Sequence, residues 1–189
     1  MVKKMPLQCS RMATLATEYC MFIDAFKGRD ERGEHCHGEV LGLMKLLPRL
    51  HVAVMALMDV SESVHHYRFY DDDQRCELFL RLNAALQSDK RLWPAYENTR
   101  FRQQLRQESC ERMADDLADI YFDLKQGLEF LQNNPGQAAS HWQSSFYAHW
   151  GKHLLNAECW LRAVDVGGEP PRLPEWWWPN LPDVELSLV

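Results

Sequence analysis

Apolar side chains recur every three or four positions through most of the chain, and period-two alternation is nearly absent. A period near 3.6 belongs to helices that bury one face, so the pattern predicts an all-α fold. The first helix is expected from Leu7 to about Phe26, with Leu15, Tyr19, Phe22 and Phe26 on one face, ended by the polar stretch GRDERGEHCHG. A second is expected from about Glu39 to Val60, bent near Pro48, which lacks an N–H and crowds the preceding turn. A third covers Gln74 to Gln87. The stretch DKRLWPAYENTRFRQQLRQESC shows no clear period and reads as a loop with a short helix around 98–109.

Two further helices follow. From about Asp115 to Gln132, Leu117, Ile120, Tyr121, Leu124, Leu128 and Leu131 form one stripe, and the aspartates at the start suit the positive end of the helix dipole. NNPG at 133–136 is a turn, after which a last helix runs from about Gln137 to Val164 and stops at Gly167-Gly168. The remainder, EPPRLPEWWWPNLPDVELSLV, holds too many prolines for a helix. The layout is therefore a single bundle of five or six helices over residues 1–166. Residues 167–189 form an irregular Trp/Pro-rich extension, whose apolar content calls for packing on the bundle or on a partner.

Composition narrows the partners. At 189 residues the chain can bury a full core, and a net charge of −6 argues against nucleic acid or anionic lipid, which require clustered basic groups. The most apolar stretch, 41–58, is interrupted by Lys45, Pro48, Arg49 and His51, which makes it a core helix and no membrane span. The first twenty residues lack the apolar run of a secretory signal, and the expected location is cytoplasmic. Six cysteines without a CxxC pair read as buried free thiols.

Candidate chemistry gathers in the last two helices. At 100° per residue, Trp142, Phe146, Trp150, His153, Ala157, Trp160, Leu161 and Val164 share a face, with His149 beside them, so both histidines look inward. Gly151 falls on the other side with Ser144, Ala148, Leu155 and Cys159, a small-residue stripe that suggests close packing of another helix or a homodimer contact. A buried imidazole needs partners, because an unpaired polar group costs about 1–3 kcal/mol. Asp116, Asp119 and Asp123 flank the preceding helix's stripe, and the short turn makes the two helices antiparallel neighbours. At least one aspartate is expected to bond His149 or His153. The same five residues, His149, His153, Asp116, Asp119 and Asp123, are also the candidate ligands of a divalent metal, since histidines at i and i+4 project together and carboxylates from a facing helix complete a shell.

Other local matches carry less. DDLAD at 115–119 fits a magnesium–diphosphate pattern, but no second acidic motif accompanies it. Glu34-x-x-His37 and Glu62-x-x-His65 imitate di-iron ligands, yet both lie in or beside polar loops. YDDD at 70–73 reads as acids feeding a helix N-terminus. No nucleophile arrangement or glycine-rich phosphate loop is present.

DDLADIYFDLKQGLEF, followed by a short turn and HWQSSFYAHWGKHLLNAECWLRAV, resembles the paired signature of the bacterial domain-of-unknown-function family 5063. Asp115, Asp116, Asp119, Tyr121, Asp123, Gly127, Trp142, Phe146, His149, Trp150, Gly151 and His153 carry the resemblance. It implies an all-helical cytosolic protein and supplies no activity. On the sequence, the favoured reading is a binding or interaction protein, with no cofactor and with a homodimer or protein partner. The alternative is a metal-dependent enzyme, such as a hydrolase, using the His/Asp group.

Overall fold

The computed structural model describes residues 7–27, 36–57, 71–88 and 100–165. The helices are α1 (Leu7–Ala25), α2 (Cys36–Met55), α3 (Asp72–Ser88), α4 (Arg100–Asn133), α5 (Pro135–Ser145) and α6 (Gly151–Asp165), with a π-helical turn at Phe146–Trp150 joining the last two. The fold is all-α, and no strand occurs among the described residues. No helix among the described residues is long and apolar enough to cross a membrane.

One helix departs from the expected layout. α4 runs unbroken for 34 residues, so the short helix foreseen near 98–109 and the helix from Asp115 are one. The joining segment SCERMA contains no proline or glycine, and its Cys110, Met113 and Ala114 extend the apolar stripe into the core. Residues 116–124 are all buried, which makes α4 the central helix of the bundle. The second helix is also shorter than expected. α2 passes through Pro48 and ends at Met55, with a turn at Ala56 and Leu57.

Cross-helix hydrogen bonds fix the arrangement around α4. Tyr19 donates to the Leu117 carbonyl (2.9 Å) and Tyr121 to Asp24 (2.9 Å), while Cys9 reaches the Pro135 carbonyl (3.5 Å) beyond the C-terminal end of α4, so α1 lies antiparallel to α4. Arg75 reaches Asp115 and Asp119 while Arg106 reaches the Gln87 carbonyl, so α3 is antiparallel to it. α2 is antiparallel to α1, with Arg49 on Glu18 at one end and the Lys27 amide on Glu39 at the other. Met12, Leu15, Tyr19 and Ile23 of α1 and Leu43, Leu47 and Leu50 of α2 fill one side of the core. Phe22, expected on the buried face, is only partly covered and lies against Gly42, where a Cβ would come within 2.6 Å of its ring.

The return from α4 is tight. Asn134 accepts from the amides of Gly136 (3.0 Å) and Gln137 (3.4 Å), capping α5, and Pro135 occupies the first helical turn, where no N–H is needed. α5 then folds back along α4, anchored by Trp142, whose indole N–H donates to the Leu124 carbonyl (3.1 Å). That approach requires Gly127, because a Cβ there would fall on the edge of the Trp142 ring. The sulfur chemistry is less uniform than expected: Cys9, Cys20 and Cys110 are buried thiols, Cys76 is exposed and Cys159 is half-buried. Cys36, the Trp/Pro-rich extension and the loop acids and histidines of residues 58–70 lie outside the described side chains.

Candidate metal centre

Antiparallel pairing of α4 with the α5–α6 arm brings the aspartate flank against the histidines. Trp142 meets Leu124, His149 meets Asp123 and His153 meets Asp116, one chain rising as the other falls. His149 Nδ1 donates to Asp123 Oδ2 at 2.6 Å, and His153 Nδ1 to Asp116 Oδ1 at 2.7 Å. An ionised carboxylate only accepts, so these contacts assign the proton of each ring to Nδ1. Each ring then turns its Nε2 toward Asp119: His153 Nε2 stands 3.1 Å and His149 Nε2 3.7 Å from Asp119 Oδ2.

The His153 contact is informative because it is short without being a hydrogen bond. Nε2 is buried and has no hydrogen-bond partner despite the carboxylate oxygen 3.1 Å away, so the two atoms are close without being aligned for a hydrogen bond. Asp119, His149 and His153 present three donor atoms within 4.8 Å of one another, all from buried residues. Behind them, Asp116 and Asp123 orient the rings, as carboxylates behind metal-bound histidines do. The sequence reading had grouped all three aspartates as ligands; the geometry separates one inward-facing carboxylate from two that stand behind the imidazoles.

Arg75 of α3 completes the surroundings. Its Nε donates to Asp119 Oδ1 at 2.7 Å and its Nη2 to Asp115 Oδ1 at 2.5 Å. Burial pushes the Asp119 carboxyl upward, but the Arg75 hydrogen bond and the adjacent imidazoles outweigh it and hold the group below the usual carboxylate range. Burial wins at Asp116, which is raised despite its bond to His153. Asn156 adds a long contact to Asp116 (3.5 Å), and His141 Nε2 sits 3.2 Å from the Asp123 carbonyl.

Local backbone explains the histidine placement. Within the π turn the Gly151 amide donates to the Phe146 carbonyl, five residues back, and a Cβ at 151 would lie 2.5 Å from that oxygen and 3.1 Å from the Phe146 ring. The space left at Gly151 is therefore filled from within its own arm. Ala148 is exposed and Ser144, Leu155 and Cys159 only partly covered, so among the described residues no helix of the same chain closes over the small-residue stripe. Trp150 is fully buried, its N–H shared between the Trp142 carbonyl (3.2 Å) and Ser145 Oγ (3.0 Å), and it anchors the turn between the two histidines.

The DDLAD acids do not act together: Asp115 faces Arg75, Asp116 faces His153 and Asp119 stands between Arg75 and the imidazoles. Asp72 and Asp73 open α3, as the YDDD reading expected. The side chains of Glu34, His37, Glu62 and His65 lie outside the described ones. Arg75 was not foreseen. An isolated arginine after an acidic run carries no signal of what it will face across the bundle.

Fold and site define an all-helical bundle with an interior Asp/His/His cluster between its central helix and its last helical arm. The profile of the family described as Domain of unknown function (DUF5063) matches residues 4–166, and the chain belongs to that family. Among solved structures, the chain is similar to protein BF1032 from Bacteroides fragilis, with a TM-score of 0.58 and 18% identity over 89% of this chain and 96% of that one. This likeness shows a shared fold. No curated protein matches the sequence.

Proposed function

We propose that this domain binds one divalent transition-metal ion through Asp119 Oδ2 and the Nε2 atoms of His149 and His153. The observation that carries the reading is the unbonded His153 Nε2, buried beside Asp119 Oδ2 in a group of three donor atoms within 4.8 Å of one another. A purely structural network would protonate that nitrogen as well and turn it onto the carboxylate 3.1 Å away, since leaving a buried polar atom unpaired costs about 1–3 kcal/mol. A cation resolves the arrangement, because two imidazole nitrogens and one carboxylate oxygen within 4.8 Å of one another form a donor set for a divalent ion. Charge favours the same reading. Asp115, Asp116, Asp119 and Asp123 lie against Arg75 and the two imidazoles, and a divalent ion offsets the negative charge gathered there.

Two nitrogens and one oxygen leave a coordination position for water or substrate, the requirement for metal-assisted chemistry, which supports an enzyme over a purely structural ion. The interaction reading rests on weaker ground. The exposed apolar side chains are Leu7 and Met21 on α1, Leu41, Val52 and Met55 on α2, Leu80 on α3 and Tyr147 on the π turn, spread over several elements. The family profile ends at residue 166, which supports taking 1–166 as the bundle domain and 167–189 as an appended segment that packs on the bundle or on a partner.

The test is elemental analysis of untagged protein purified without chelators, for wild type, Asp119→Ala, His149→Ala and His153→Ala. Near-stoichiometric metal in wild type that disappears in each variant is expected. Metal-free wild type that also fails to take up added Zn2+, Co2+ or Fe2+ would make the cluster a structural network.

A further inference from the structure

The side of Asp119 that faces away from the imidazoles is already committed. Arg75 Nε holds Oδ1 at 2.7 Å while Nη2 is tied to Asp115, a two-point clamp that fixes the guanidinium plane. Oδ2 is therefore the oxygen Asp119 offers a metal, with Oδ1 held by Arg75. Bidentate coordination, which raises the ligand count and suits larger ions, would require Oδ1 to leave Arg75.

Resting on the metal-binding reading above, we infer that Arg75 is a positioning residue that keeps Asp119 monodentate and thereby selects a small four-coordinate ion, Zn2+ by chemical class, with one exogenous ligand. Three observations converge on it. The three donors are single atoms. The spacings from Oδ2 to the two Nε2 atoms, 3.1 and 3.7 Å, bracket the roughly 3.3 Å between donors that tetrahedral geometry gives with bonds of about 2.0–2.1 Å. The three side chains are only 6–10% exposed, which keeps the donors out of bulk water and disfavours an ion that retains most of its hydration shell. Arg75, at 26%, and Asp115, at 45%, are the more exposed members, so the exogenous ligand enters along the Arg75 edge.

Cobalt reports this directly, because four-coordinate Co2+ absorbs visible light strongly and six-coordinate Co2+ weakly. Full-length wild type loaded with Co2+ is expected to show the intense four-coordinate bands. Arg75→Met, which frees Oδ1, is expected to lose most of that intensity and about tenfold in Zn2+ affinity, the size of effect seen when a ligand's hydrogen-bond partner is removed. Arg75→Lys, which keeps a charged donor beside Oδ1, is expected to restore the bands. Bound Co2+ with weak bands in wild type overturns the four-coordinate assignment and leaves metal binding standing. Intense bands in both wild type and Arg75→Met overturn the role of Arg75. No Co2+ uptake by wild type removes the metal reading and this inference with it. Should Arg75→Met not fold, X-ray absorption at the zinc edge of wild type decides: a bidentate carboxylate there refutes the clamp.

Discussion

Replacing Gly127 with alanine tests the contact on which the register of the whole site depends. Gly127 sits on α4 directly beneath the Trp142 indole, and an added methyl would overlap the ring edge that carries the N–H. Trp142 cannot move aside easily. It is fully buried and its N–H is bonded to the Leu124 carbonyl at 3.1 Å. Overpacking costs about 1–3 kcal/mol and a displaced indole N–H about 1–3 kcal/mol, while the better helix propensity of alanine returns about 1 kcal/mol; the net loss is about 3 kcal/mol. For a chain of this size that corresponds to a fall in Tm of roughly 6–12 °C. Urea unfolding followed by tryptophan fluorescence, with thermal unfolding by circular dichroism, measures it. The same substitution in a Trp142→Phe background should cost much less, because the smaller ring removes both the overlap and the N–H. A Gly127→Ala protein as stable as wild type, or stabilised by the propensity gain, would refute the claim that this close approach holds α5 on α4.

Three further outcomes are expected. Asp116→Asn weakens the charge-assisted bond that orients His153 and should reduce metal affinity by about 10- to 100-fold, measured by competition with a chromophoric chelator; an unchanged affinity would mean that the carboxylate does not tune the ring. Asn134→Ala removes the cap of α5 and should cost about 0.5–2 kcal/mol in urea unfolding, with a wild-type midpoint counting against the cap. Burial raises the thiols of Cys20 and Cys110 from 9.0 to about 12, so the unfolded chain ionises first as pH rises. Stability is therefore full below about pH 9 and falls progressively toward pH 12. Cys110→Ala should flatten that fall, and an equally steep profile would exclude the thiol as a cause.

The helices were legible because their periodicity is strong, and α1 and α3 begin and end within about two residues of the expected positions. The meeting of the two site elements was also legible, from the spacing of Asp116, Asp119 and Asp123, the four-residue step between His149 and His153, and the short turn between their helices. The division of labour was not. Which carboxylate faces inward and which stand behind the rings depends on helix rotation of a few tens of degrees and on the π turn, whose single extra residue leaves no mark in a 3.6-residue pattern. The continuity of α4 was missed because the short helix expected around 98–109 is only weakly amphipathic, and tertiary docking of Cys110, Met113 and Ala114 joins it to the helix that follows.

The antiparallel pairing of α4 with α5–α6 bears on how the chain reaches its native state. The His149–Asp123 and His153–Asp116 partners are 26 and 37 residues apart along the chain, whereas Tyr19 and Leu117 are separated by 98. Closing the shorter loops costs less chain entropy, and local contacts form before distant ones. The helical hairpin can thus assemble its inward-facing donors before α1 docks, leaving Arg75 to arrive with α3. A metal present during synthesis would meet its three ligands on a nascent hairpin and staple it, so that ion supply would govern the yield of folded protein as well as the chemistry of the finished one.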